Sequence, residues 1–135
     1  MKAPAWIIPA LVVACTAAGV GGSKLVTAPS LARDYAVAAP GAATRTSVFV
    51  VAGVKCVDTA ERAAHQLDDL KGVLSLEAFA SRARVEVTYD PVLTGAAAIR
   101  EAIEGPVHDA TTGAYLFGLY KVIEMDGVKI EPEND

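Results

Sequence analysis

The chain has 135 residues, 53% of them hydrophobic, with a formal net charge of −4 and an isoelectric point near 5.1. That length accommodates one domain with appendages. The acidic balance argues against nucleic acid as a partner, which needs a basic face for its phosphates. The two cysteines, Cys15 and Cys56, stand in unlike surroundings and form no disulfide framework.

The chain opens with Met1-Lys2 and continues in a nearly uncharged run from Ala3 to Gly22, the ingredients of an export or membrane-targeting segment. Three readings stand side by side. A membrane span is short against the roughly 20 residues a bilayer needs; Pro9, Gly19, Gly21 and Gly22 weaken it, although Trp6 suits an interface. A lipoprotein signal would use Val12-Val13-Ala14-Cys15, which resembles a lipobox, with Cys15 as the lipidated residue. A cleaved signal would use the small residues between Ala14 and Ala18. Each places the remainder in the bacterial cell envelope, on the extracytoplasmic side of the inner membrane. Residues 23–45 are rich in Ala, Pro, Ser, Gly and Thr, and Pro29, Pro40 and Gly41 interrupt periodicity. They predict a flexible linker in which Leu31 to Val37 forms at most a turn of helix.

The folded part is expected over residues 46–110. Ser47 to Val51 barely alternates and predicts a strand buried on both faces. Asp58, with Glu61 at capping-box spacing, predicts the start of a helix whose Ala60, Ala63, Ala64, Leu67 and Leu70 share one face. Lys71-Gly72 stops it. Val73 to Phe79 and Ala83 to Tyr89 predict two strands around a turn at Ser81-Arg82, and Asp90-Pro91 ends the second. Thr94 is positioned to cap a second helix carrying Ile99, Ala102 and Ile103 inward, closed by Gly105-Pro106. The order β-α-β-β-α, with a further strand to follow, is the split β-α-β pattern of an α+β, ferredoxin-like fold: two helices on one antiparallel sheet.

Between the first strand and first helix sits Gly53-Val54-Lys55-Cys56-Val57-Asp58-Thr59. A thiol at a helix N-terminus beside a lysine has the surroundings that favour thiolate. With Gly72-Val73, Val87-Thr88-Tyr89-Asp90-Pro91 and Ile99-Arg100-Glu101-Ala102-Ile103, the stretch from Val48 to Ala110, about half the chain, resembles the heavy-metal-associated domains of copper chaperones, copper-transporting ATPases and the periplasmic mercury-binding protein. The resemblance implies a site for a soft ion, Cu(I) or Hg(II), held by the two thiolates of a G-M-T-C-x-x-C loop. Cys56 matches the first, with Lys55 beside it to stabilise the thiolate and Val54 where the family has Met. Thr59 stands where the second cysteine belongs, and its hydroxyl is a poor ligand for a soft metal. A complete site would then need a second sulfur from another chain, in a homodimer or from a metal-donor or metal-acceptor protein. His65 and His108 are expected to be bystanders, for want of a second soft ligand near either.

The chain then continues past the family's usual end. Tyr115 to Ile123 is densely apolar and aromatic, Asp126-Gly127 is a hairpin turn signal, and Val128 to Ile130 can return as a strand, which predicts a C-terminal hairpin extension over residues 111–130. Residues 131–135 are expected to form a disordered acidic tail. No phosphate loop, catalytic triad or paired acid–base carboxylates are apparent, so an enzyme is not expected. Two functions follow: a membrane-tethered domain that carries a soft metal through Cys56, or a degenerate module without metal that serves as an accessory subunit of a membrane-protein complex. Thiol redox work by Cys56 ranks below both, because no resolving cysteine lies nearby.

Overall fold

The β-branched run before the cysteine loop forms an inner strand of a six-stranded antiparallel sheet in the computed structural model, which describes residues 28–131. The strands are β1 (Leu31–Asp34), β2 (Arg45–Ala52), β3 (Val73–Phe79), β4 (Arg84–Tyr89), β5 (Val107–His108), β6 (Tyr115–Leu116), β7 (Lys121–Met125) and β8 (Val128–Lys129); the helices are α1 (Val57–His65) and α2 (Ala96–Glu104). The main sheet runs β1-β3-β4-β2-β7-β8, with β5 and β6 paired separately. The fold is α+β. The segment at residues 1–22 expected to be a leader, Cys15 and the end of the tail lie outside the described residues, within which no helix is long and apolar enough to cross a membrane.

Alternation sorts the strands into two faces. Ser47, Phe49 and Val51 of β2, Leu76 and Ala78 of β3, and Val85, Val87 and Tyr89 of β4 are buried, while the residues between them are at least partly exposed. Ala60, Ala63, Ala64 and Leu67 from the first helical segment, and Ile99 and Ile103 from the second, join the same core. Three alanines on α1 let the backbone approach the sheet closely, and Leu67 supplies bulk just beyond its end. Each fully buried large side chain, such as Leu67, Ile99 or Phe49, contributes roughly 1.5–3 kcal/mol.

Three sequence expectations are corrected. The linker contains a strand: Leu31 to Asp34 pairs with β3 from Leu31↔Ala78 to Asp34↔Ser75. The reason is tertiary. Arg33 pairs with Asp68 at 2.7 Å, and the Tyr35 hydroxyl donates to the Ala64 carbonyl at 2.6 Å, contacts more than 28 residues distant that no local pattern reveals. Burial pushes the Tyr35 hydroxyl well above its usual pKa, so it remains a donor throughout the ordinary pH range. Tyr35→Phe is expected to lose about 1 kcal/mol of stability, read as a lower urea midpoint at unchanged slope.

The second correction concerns the strand after α2. Val107-His108 does not join the main sheet but pairs with Tyr115-Leu116; the strand beside β2 is β7, through Phe49↔Met125 to Ala52↔Lys121 with a bulge at Val50/Val51. The expected boundary at residue 110 therefore falls inside a short arm, residues 107–120, inserted ahead of the last central strand. The hairpin after it is as the Asp126-Gly127 signal suggests: both residues have positive φ, 51° and 82°, and β7 pairs with β8. Asp126 also accepts the Val48 amide at 2.8 Å, tying the turn to β2. Third, Thr94 does not cap α2. Gly95 occupies the N-cap, one residue later.

Candidate functional site

The strand registers bring several connections to one end of the sheet. Ala52 ends β2 beside Lys121, the first residue of β7; Val50 pairs with Arg84, the first residue of β4; and Leu31 pairs with Ala78 near the end of β3. The cysteine loop, the turn Ala80–Arg82 and the arm before β7 therefore meet there.

Within the loop, Gly53 takes φ +108°, a conformation that side-chain-bearing residues rarely adopt, and lies directly under the Leu119 carbonyl and the Tyr120 ring. Val54 turns inward and is 1% exposed, so it anchors the loop to the core from the position where the resembled family has Met. Lys55 and Cys56 are exposed.

The helix begins at Cys56, not at Asp58 as the capping pattern suggests; Cys56 is the N-cap, in extended conformation. Thr59, three residues on, completes a capping box: the Cys56 side chain takes the Thr59 backbone N–H, and the Thr59 side chain reaches back. Its Oγ1 accepts the backbone N–H groups of Lys55 at 2.8 Å and Cys56 at 2.9 Å, and the hydroxyl donates to the Cys56 carbonyl at 2.9 Å. The Cys56 sulfur lies 3.5 Å from the same oxygen. A hydroxyl has one proton, and the nearer carbonyl holds it while the thiol is neutral; a thiolate competes for it. This hydroxyl is the leading reason that the Cys56 thiol sits below its ordinary pKa, followed by the Thr59 amide and then the Asp58 amide, with desolvation and, less, the Asp58 carboxylate opposing. The helix N-terminus thus acts as expected, whereas the Lys55 ammonium is not among the causes.

A reactivity prediction follows, with its sign set by the lowered pKa. Alkylation of Cys56 by iodoacetamide should rise with pH through a midpoint below that of a free thiol. Thr59→Val should move the midpoint upward by removing the first cause. An unchanged midpoint would contradict the assignment to the Thr59 hydroxyl.

A residue that the sequence did not single out secures the site from the other side. Tyr120, 4% exposed amid exposed neighbours, donates its hydroxyl to the Thr59 carbonyl at 2.6 Å. Its signal in the sequence was only its place in an aromatic strip. The histidines stand elsewhere. His65 is exposed and contacts Asp68 at 2.9 Å and Arg33 at 3.5 Å, and His108 packs edge-on against Tyr115 at 5.2 Å. Among the described residues, no three His, Cys, Asp or Glu side chains gather as a group able to hold a metal.

The donor set can be tested against the soft ion that the resemblance implies. Cys56 offers one thiolate. Thr59 offers a hard hydroxyl already occupied by three backbone groups, so turning it to a metal would uncap α1, at a cost of about 1 kcal/mol, for a poor ligand. One chain by itself does not fit a bis-thiolate site. Compared with known protein families, enzyme families included, with curated proteins and with solved structures, the chain matches none.

Proposed function

We propose that this is an envelope-located, membrane-tethered domain of the heavy-metal-associated type in which a metal-chelating loop has become a capped structural loop, so that it serves as an accessory or interaction module and not as an independent metal carrier. The strand order β3-β4-β2-β7 with α1 and α2 as crossovers supports the ferredoxin-like reading. The observation that carries the functional reading is the engagement of the Thr59 hydroxyl: in the place of a second soft ligand is a side chain holding the Lys55 and Cys56 amides.

A second reading is favoured by one observation. Cys56 is exposed and its thiol is biased toward thiolate, as a site completed by another chain's sulfur would require. Titration of the full chain with Cu(I), in competition with a chromophoric chelator and beside Cys56→Ser, separates the two. The module reading expects weak binding that differs little between the two proteins. A shared site expects one Cu(I) per two chains, with dimerisation, abolished in Cys56→Ser.

A further inference from the structure

We propose that the end of the fold carrying the cysteine loop and the β6–β7 arm rests on the lipid surface, with the exposed side chains of Val57, Phe117 and Leu119 meeting the headgroup–acyl boundary. The inference rests on the reading of residues 3–22 as a membrane segment and adds to it an orientation and a contact surface.

Two observations lead there. The first is exposed apolar area: Phe117 is 77% exposed, Val57 48% and Leu119 39%, with Tyr115 at 61% extending the strip. Leu119 overlies Gly53 in the loop and Val57 follows Cys56, so they belong to one end of the molecule. Apolar and aromatic side chains grouped this way mark a docking surface.

The second is where the chain enters. The Ser30 amide donates to the Ala78 carbonyl at 2.7 Å, and the Ser30 hydroxyl accepts the Ala80 amide at 3.1 Å, beside the turn at the same end. Seven residues lie between Gly22, the last residue of the apolar run, and Ser30, and the eight Cα-to-Cα steps span at most roughly 28 Å. A membrane segment ending at Gly22 is therefore joined to the domain at this end, beside the turn, the cysteine loop and the arm.

The test uses the full chain in vesicles of phosphatidylcholine with about a quarter phosphatidylglycerol. Trp6 is the sole tryptophan, so Trp6→Phe gives a silent background into which Phe117→Trp or Val128→Trp is placed; Val128 is exposed on β8, far from the loop. The Phe117→Trp emission should shift to the blue and lose roughly half its intensity when the lipids carry bromine on the upper acyl chain, as for a side chain seated several ångströms below the headgroups, whereas Val128→Trp should be unaffected. Equal, negligible quenching at both positions overturns the proposal, as does a blue shift at Phe117→Trp that grows with protein concentration without quenching, which would assign the strip to a second copy of the chain. A blue shift that persists in the absence of vesicles, also without quenching, would assign it to the chain's own apolar leader and overturns the proposal too. Failure of the protein to float with the vesicles at all overturns the tethered reading itself, and the inference with it.

Discussion

Replacing Thr59 with cysteine is expected to raise Cu(I) affinity about a thousandfold. The N-cap and the third helical position already present their side chains to each other, with the Cys56 sulfur 3.5 Å from Thr59 Oγ1. Thiolate–metal bonds near 2.3 Å need sulfurs up to roughly 4.6 Å apart across a two-coordinate ion, a distance that side-chain rotation supplies. The factor comes from chelation. A second thiolate in the same loop acts at an effective concentration of about a millimolar or more, whereas one from another chain acts at the micromolar concentration of the protein. The gain comes with a loss. Lys55 and Cys56 amides forfeit their acceptor, so apo Thr59→Cys should be less stable by about 1 kcal/mol. Thr59→Ser, which keeps the cap, should show neither effect, and Thr59→Cys combined with Cys56→Ser should lose the affinity while retaining the instability. Competition titration reads the first quantity and urea unfolding the second.

Gly53→Ala is expected to destabilise the fold by about 3 kcal/mol, a drop of more than 10 °C in midpoint for a domain of this size. Two causes combine. The φ of +108° is strained for any residue with a side chain, and an added Cβ would drive into the Leu119 carbonyl while lying 3.0 Å from the Tyr120 ring. Neither neighbour yields easily, since Leu119 contributes backbone and Tyr120 is buried and bonded to Thr59. The arm would be pushed off the loop. Gly113→Ala is the control: Gly113 also has positive φ, +71°, but open space around it, so it should cost about 1 kcal/mol. Equal losses for the two variants would show that the arm does not bear on the loop.

These two residues illustrate what the sequence disclosed and what it concealed. The central β-α-β-β-α order was legible because each element carried its own period: β4 alternates cleanly, and α1 repeats alanine at helical spacing. The paired positive-φ turn at Asp126-Gly127 was legible from its dipeptide. β1 was hidden because four residues in an alanine- and proline-rich stretch hold little periodicity, and its partners, Ala64 and Asp68, are distant in sequence. The place of β7 was hidden for the opposite reason. Val107-His108 and the run from Lys121 both look like strands, and only pairing with β2 decides which joins the sheet.

The site was legible in residue type and not in role. Cys56 and Thr59 are distinctive as residues, yet Asp58 with Glu61 three residues later is the more familiar capping pattern and points to a later helix start. In the structure Cys56 is the N-cap, and Thr59 at the third helical position reaches back to the Lys55 and Cys56 amides as the other half of the box. Tyr120 could not be distinguished from Tyr115 by composition; one is buried against Thr59 and the other is exposed.

The central claim, that one chain has exchanged chelation for a capped loop, is tested most directly by Cu(I) titration of the full wild-type chain at a concentration where it is monomeric. The account predicts no stoichiometric high-affinity step and no dependence on Cys56. Tight one-to-one binding by the monomer, abolished in Cys56→Ser, would contradict it.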